Sequence, residues 1–162
     1  MNPPQYSIIA AIADNFVIGN GLKIPWHIPE DFKLFKEKTQ NSIVIMGKKT
    51  WDSLPIKPLP NRINIVISKQ ILQEPKAIIV NSIDKAFEIA KDKAKQENKP
   101  IFVMGGASIY KQTIQDAKYL YLSHVKGEFE GDIFFPQFNK ENYKIIDKQE
   151  HDKFTFCLYE KL

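Results

Sequence analysis

The segment "IPWHIPEDFKLFK" (24–36) sets an acid among apolar residues. Pro29 suits the first position of a helix, where its missing N–H costs nothing. Asp31 then lies one turn before Phe35 on the same helical face, with Phe32 and Leu34 flanking it and Ile24, Trp26 and Ile28 crowding the approach. The helix dipole is the ordinary reason for a first-turn carboxylate, worth a few tenths to about 1 kcal/mol. Glu30 already meets that need from a more exposed position, so Asp31 requires a further reason. Two other places are ready for an anion. "IVIMGKKT" and "IFVMGGAS" each run from strand through glycine into a helix start. There, free backbone N–H groups attract phosphate and glycine permits close approach. The first adds Lys48, Lys49 and the Thr50 hydroxyl; the second offers Gly105, Gly106, Ala107 and Ser108. Ser42 stands where a P-loop needs its first glycine, and neither turn is a G-x-G-x-x-G fingerprint. A glycine after a strand often only packs a helix tightly. Two such turns in one small sheet, one with paired lysines, fit a ligand carrying several phosphates.

The charge inventory singles out one more side chain. Of 23 basic residues, Arg62 is the single arginine and the rest are lysine. A chain that uses lysine wherever a point charge suffices keeps an arginine where the planar fork matters, as in bidentate binding of a carboxylate or phosphate.

The elements that must position these groups alternate between strand-like and helix-like runs, the pattern of an α/β sheet with parallel crossovers. "YSIIAAIA" (6–13) is nearly all apolar and reads as a central strand buried on both faces. A loop at 14–25 follows, with Gly19 and Gly21 as turn points, then a helix from 29 to about 38. Strands are expected at 42–47, 63–68, 76–80, 101–104 and 119–125, with a short helix from Lys48 and a rigid proline-rich loop at 55–62. Ile83, Ala86, Phe87, Ala90 and Ala94 recur at helical spacing behind Ser82, a suitable N-cap. Another helix follows Gly106, and "NYKIIDKQ" with "FTFCLYEK" reads as a closing antiparallel hairpin. In an open α/β sheet ligands gather at the carboxyl ends of the strands, where both glycine turns and the loop leading to Asp31 fall.

Length and composition bound the rest. The 162 residues, 43% hydrophobic, suit one globular domain spanning 1–162. No apolar run approaches the roughly 18 residues of a membrane span. "MNPPQY" lacks the basic and apolar regions of a secretory leader. The single cysteine, Cys157, rules out an internal disulfide, fits a reducing cytoplasm and sits in a strand pattern as a buried, inert thiol. The net charge of +4 is spread over helices and turns without a basic block or nucleic-acid module, which argues against nucleic-acid binding.

At this point the residues resemble a known family. "IAAIADNFVIGNGLKIPWHIPEDFKLFK", "VIMGKKTWDSLPIKPLPNRINIVIS", "VMGGASIYKQ" and "YLSHVKGEFEGDIFFP" are similar to dihydrofolate reductase of the bacterial chromosomal type. P-W-x-x-P-x-D, M-G-x-x-T-W and G-D-x-x-F-P occur in that order from about Ser7 onward. The resemblance implies an eight-stranded, mostly parallel sheet with an antiparallel C-terminal strand and about four flanking helices. It implies a cytoplasmic monomer that uses NADPH to reduce dihydrofolate, binds antifolates such as trimethoprim or methotrexate, and carries no appended thymidylate synthase.

The resemblance also implies roles, position by position. Asp31 would be the only ionisable group in an apolar pterin pocket, holding the exocyclic amine and promoting protonation of N5 through ordered water. Its carboxyl should be raised by burial. Trp26 would hold a water beside the pterin, and Tyr110 and Ser123 would complete the polar side. Ile9, Ala10, Ala11, Ile24, Phe32, Phe35, Ser53, Leu54, Leu59 and Met104 would line the substrate site. Arg62 would clamp the α-carboxylate of the glutamate tail. Ala11, Ile18, Gly19, Gly47, Lys48, Lys49, Thr50, Ile67, Ser68, Lys69, Gly105, Gly106, Ala107, Ser108, Ile109 and Gln112 would form the dinucleotide cleft. The sequence departs from the family pattern at Lys48 and Ser108, where arginine is common, and at Ala107, often glycine. Residues 14–25 would close over nicotinamide and "EFEGD" (128–132) would receive them, Asp132 accepting backbone N–H bonds. No metal is implied. Pyrimidine reductases of riboflavin synthesis share the architecture without the P-W-x-x-P-x-D start, and a non-catalytic folate- or nucleotide-binding module would bind without turnover.

Overall fold

The apolar run expected at the centre is β1 (Ser7–Ala13), and parallel strands hold it from both sides. The computed structural model describes residues 5–21, 23–70, 74 and 76–162. Residues 1–4, part of the segment on which the missing leader was read, and Leu22 of the 14–25 loop lie outside the described residues.

The elements follow in order: β2 (Val17–Gly19), α1 (Pro29–Thr39), β3 (Ile43–Gly47), α2 (Lys48–Ser53), β4 (Ile63–Ile67), β5 (Ile78–Val80), α3 (Ile83–Glu97), β6 (Ile101–Val103), α4 (Ala107–Thr113), β7 (Tyr119–Val125), β8 (Ile133–Phe134), β9 (Tyr143–Glu150) and β10 (Phe154–Lys161). The main sheet has eight strands in the order β5-β4-β3-β6-β1-β7-β10-β9. The first six run parallel, and β10 lies antiparallel between β7 and β9. The mostly parallel sheet with a closing antiparallel hairpin is therefore as expected.

Some boundaries differ, most by a single residue, and two differences are larger. The loop at 14–25 contains β2, which pairs antiparallel with β8 in a separate two-stranded sheet. These strands are two and three residues long, too short for an alternation to register in the sequence. β5 begins at Ile78, and the preceding lysine and alanine are turn residues.

Local chemistry explains the helices that matter. Pro29 opens α1 without a side-chain cap, and the Ser82 hydroxyl caps α3 by accepting from the Lys85 amide. Ala86 and Ala90 of α3 are fully buried on one face of the sheet, together with Ile8, Ile12, Ile43, Ile45 and Ile65. Each such isoleucine contributes about 1.5–3 kcal/mol by leaving water. The opposite face carries two adjoining clusters, under α1 and α2, and on this face the candidate site is built.

Candidate active site

Asp31 lies half-buried in the first turn of α1, on the helix face that also turns Leu34, Phe35, Lys38 and Thr39 inward. Ser123, buried on β7 in register with Ala11 of β1 and Phe156 of β10, brings its hydroxyl to the side of the Asp31 carboxyl. Burial raises the Asp31 carboxyl above its ordinary value, and the Ser123 hydroxyl and the charge of His151 pull it partly back. A carboxyl so placed takes up a proton nearer neutrality than a surface acid and can hold a polar ring by hydrogen bonds.

The apolar walls assemble from distant segments. Ile9, Phe35, Leu54, Leu59 and Met104 share one cluster with Val44, Met46 and Trp51. Tyr121 joins it to a second cluster of Ile28, Val125, Phe154 and Phe156, against which Ala11, Trp26 and Leu34 pack. Trp26 meets Phe129 with ring centroids 5.2 Å apart. Ala10 faces the other side of the sheet. Ile24 and Phe32 are 49% and 44% exposed and belong to neither cluster, and the Ser53 hydroxyl donates back to the Thr50 carbonyl. Tyr110 is buried, and its hydroxyl donates to the Ile9 carbonyl at 2.8 Å, fixing α4 to β1. Burial raises that phenol well above its ordinary value.

Arg62 is held by neutral oxygens. Its Nε donates to the Thr39 hydroxyl at 2.9 Å, one terminal nitrogen to the Pro60 carbonyl at 2.6 Å and the other to the Lys36 carbonyl at 3.0 Å. A guanidinium has five N–H donors, so one remains on each terminal nitrogen, the two nitrogens from which a carboxylate is gripped end-on. Thr39 was not anticipated from sequence. It donates to the Phe35 carbonyl at 2.8 Å and accepts from Arg62, so one hydroxyl links the end of α1 to the fork.

The two glycine turns meet directly: the Gly47 amide donates to the Gly105 carbonyl at 2.8 Å. β3 and β6 are neighbours, so their carboxyl ends open side by side. Gly105 has φ +116, and a Cβ there would sit 3.2 Å from Thr50 Oγ1 and 3.3 Å from the Tyr110 ring and hydroxyl. The Gly105–Gly106 peptide is cis. Ile109 packs against Gly47, and Ile18 and Ile67 border the same core. Lys49, Lys69 and Ser108 are exposed, and Ala107 is half-buried.

Other residues of this group have internal partners. Lys48 pairs with Asp52 at 2.6 Å, the Gln112 amide donates to the Ser108 hydroxyl at 3.0 Å, and buried Ser68 exchanges hydrogen bonds with the Gln70 backbone. Gly19 and Asp132 meet at the small sheet. The Asp132 carboxylate accepts the Gly21 amide at 2.9 Å, and a Cβ at Gly131 would collide with the Gly19 carbonyl. Asp14 accepting from Gly127 and Asn15 donating to Phe129 brace the same junction. Sequence reasoning missed both, because their partners lie more than a hundred residues away. Among the described residues no group of three or more His, Cys, Asp or Glu could hold a metal, and no helix is long and apolar enough to cross a membrane.

Comparison with known proteins bears on this geometry. Residues 5–161 match the family model described as dihydrofolate reductase. A dihydrofolate reductase of Buchnera aphidicola subsp. Acyrthosiphon pisum is 45% identical over 148 residues, covering 91% of this chain and 89% of the relative. One from Neisseria gonorrhoeae is 43% identical over 147 residues, covering 90% and 88%. Among solved structures, the dihydrofolate reductase from Enterococcus faecalis complexed with NADP(H) and RAB-propyl superposes with a TM-score of 0.84. It is 27% identical and covers 97% of this chain and 96% of that one. With its half-buried acid, apolar walls and paired glycine turns on one such sheet, this chain belongs to the dihydrofolate reductase family.

Proposed function

We propose that this chain reduces 7,8-dihydrofolate to tetrahydrofolate with NADPH, using Asp31 as its one acid in the pterin pocket and Arg62 as the clamp on the glutamate tail. The observation that carries the reading is the half-buried Asp31 carboxyl, raised by burial beside an apolar cluster. The residues present fit a dinucleotide. The Gly47–Gly105 pair leaves backbone N–H groups at the starts of α2 and α4, and Lys48, Lys49 and Lys69 supply cations for phosphates. NADPH, when bound there, supplies the hydride that reaches C6 of the pterin.

The chain's own groups do the rest. Asp31 fixes the exocyclic amine of the pterin and, kept protonated nearer neutrality by burial, promotes delivery of a proton to N5 through solvent. Trp26, packed on Phe129, bounds the wet side of the pocket, while Ile9, Leu54 and Met104 exclude water from the other. Tyr110 acts through position: its hydroxyl is spent on the Ile9 carbonyl and aligns α4 with β1. Arg62 offers its two free N–H groups to a carboxylate. Asp132 steadies the 14–25 segment through Gly21.

The whole chain acts as one domain and as a monomer, in the cytoplasm, with antifolates competing for the Asp31 pocket. Mixing the protein with NADPH and dihydrofolate and following the fall of reduced-nicotinamide absorbance tests the activity. Tight binding of both without any fall would favour the non-catalytic module.

A further inference from the structure

The paired lysines that open α2 are not treated alike. Lys48 Nζ lies 2.6 Å from Asp52 Oδ2, four residues on, with the two side chains 34% and 35% exposed. Lys49, the next residue, is exposed and has no ion-pair partner among the described residues. Helix electrostatics does not account for the Lys48–Asp52 pair. Lys48 is the first residue of α2 and Asp52 the last but one, so the cation stands at the positive end of the helix and the anion at the negative end. Lysine before acid at i, i+4 is also the weaker order for holding a helix. A pair placed for stability would run the other way.

Its position supplies another reason. The Gly47 amide, just before Lys48, donates to the Gly105 carbonyl, so Lys48 begins at the mouth shared by the two glycine turns. An ammonium has three N–H donors, and Asp52 takes one of them. The carboxylate also cancels much of the charge that a phosphate arriving at this mouth would meet. The Lys57 ammonium donates to the Asp52 backbone carbonyl at 3.3 Å and lies 5.9 Å from the centre of the Trp51 ring, which leaves the Asp52 carboxylate to Lys48.

We propose that Asp52 competes with the phosphates of the dinucleotide for Lys48 and so limits how tightly the cofactor is held. The inference rests on the reading of the two glycine turns as the NADPH cleft. A phosphate gains Lys48 only by sharing its ammonium with Asp52 or by displacing that carboxylate, whereas Lys49 offers its charge undivided. The oxidised cofactor carries the same phosphates, so the same competition loosens it after the hydride has gone. Changes of affinity within one site fall mostly on the rate of departure, and Asp52 therefore favours release.

The test is equilibrium binding of NADPH and NADH to the full chain by titration calorimetry, at low and high salt. We compare wild type, Asp52→Asn, Lys48→Met and the double variant. Asp52→Asn should bind NADPH about two- to fivefold more tightly at low salt, the worth of an exposed ion pair, and the gain should shrink as salt is added. In the Lys48→Met background the gain should be much smaller, since only repulsion between Asp52 and the phosphates is then relieved. A gain for NADPH alone supports the proposal with Lys48 on the phosphate monoester; an equal gain for NADH supports it with Lys48 on the diphosphate. The denaturant midpoint of Asp52→Asn should not fall, because the pair runs against the helix dipole. A lower midpoint without tighter binding, unchanged or weaker binding, or a gain as large without Lys48 overturns the proposal. In each of those cases NADPH binding by wild type leaves the cofactor reading in place. A wild type that does not bind NADPH overturns both.

Discussion

The Asp31 side of the cleft and the glycine-turn side manage charge in opposite ways. On the Asp31 side the groups proposed for polar work are one half-buried acid, with Ser123 beside it, and one arginine held by Thr39, Pro60 and Lys36. On the other side the groups proposed to bind the cofactor's phosphates are backbone amides framed by Gly47, Gly105 and Gly106, backed by several lysines at the surface. A side chain in low dielectric has no substitute, whereas a backbone amide survives most substitutions and one lysine can cover for another. The two halves should therefore break differently: the first through single side chains, the second through backbone conformation.

Asp31→Asn should have the largest effect, lowering turnover at pH 7 by about 10²–10⁴-fold, the usual range for a lost general acid. Steady-state kcat across pH measures it, and wild-type turnover would remove Asp31 from the mechanism. The same variant sharpens the contrast through stability. Because the folded-state value of Asp31 is raised, its protonated form favours the fold; that contribution is complete below the ordinary carboxyl range and is lost as pH rises through the raised value. The Asn variant carries no such loss. Its Tm should exceed that of wild type near neutrality and the advantage should vanish in acid.

Gly105→Ala attacks the second half where it is vulnerable. With φ +116 the backbone is strained for any L side chain, and Thr50 Oγ1 and Tyr110, 3.2–3.3 Å from the methyl position, would have to give way. A stability loss of about 1–3 kcal/mol is expected, with a KM for NADPH raised at least about tenfold, read by denaturant unfolding and kinetics. Arg62→Lys should raise KM for dihydrofolate about tenfold with little change for NADPH, since an ammonium cannot make the two-pronged contact. Equal effects on both substrates would sink the clamp. Lys49→Ala should be mildest. A two- to threefold rise in KM for NADPH, fading as salt is added, is the expectation for one exposed cation among several. A tenfold effect would show that the lysines are not interchangeable and erase the distinction between the halves.

The contrast also explains what was legible in the sequence. Asp31 stood out because an acid and an aromatic four residues apart share a face, and the strand-glycine-helix turns stood out because their chemistry is local. The small β2–β8 sheet was not legible, since its pairing depends on Gly131 approaching Gly19, more than a hundred residues away. Arg62 was noticeable as the lone arginine, yet its orientation by Thr39 and two carbonyls depends on α1 ending beside the 55–62 loop. Ser68, expected in the dinucleotide cleft, turns onto Gln70, a choice made by the backbone after β4. Ser123 came close to Asp31 through strand register, which spacing alone cannot fix.

β10 lies between β7 and the outer strand β9, so Ser123 is flanked by residues 155–157 from the far end of the chain. During synthesis β7 leaves the ribosome long before its neighbour on that side, and until β10 arrives it presents an unpaired row of amides and carbonyls. A nascent chain can gather its parallel strands early, but it cannot finish the wall beside Asp31 until β10 has been made. Ligands that recognise that wall will therefore report on chains in which β10 has joined β7 and pass over those in which it has not.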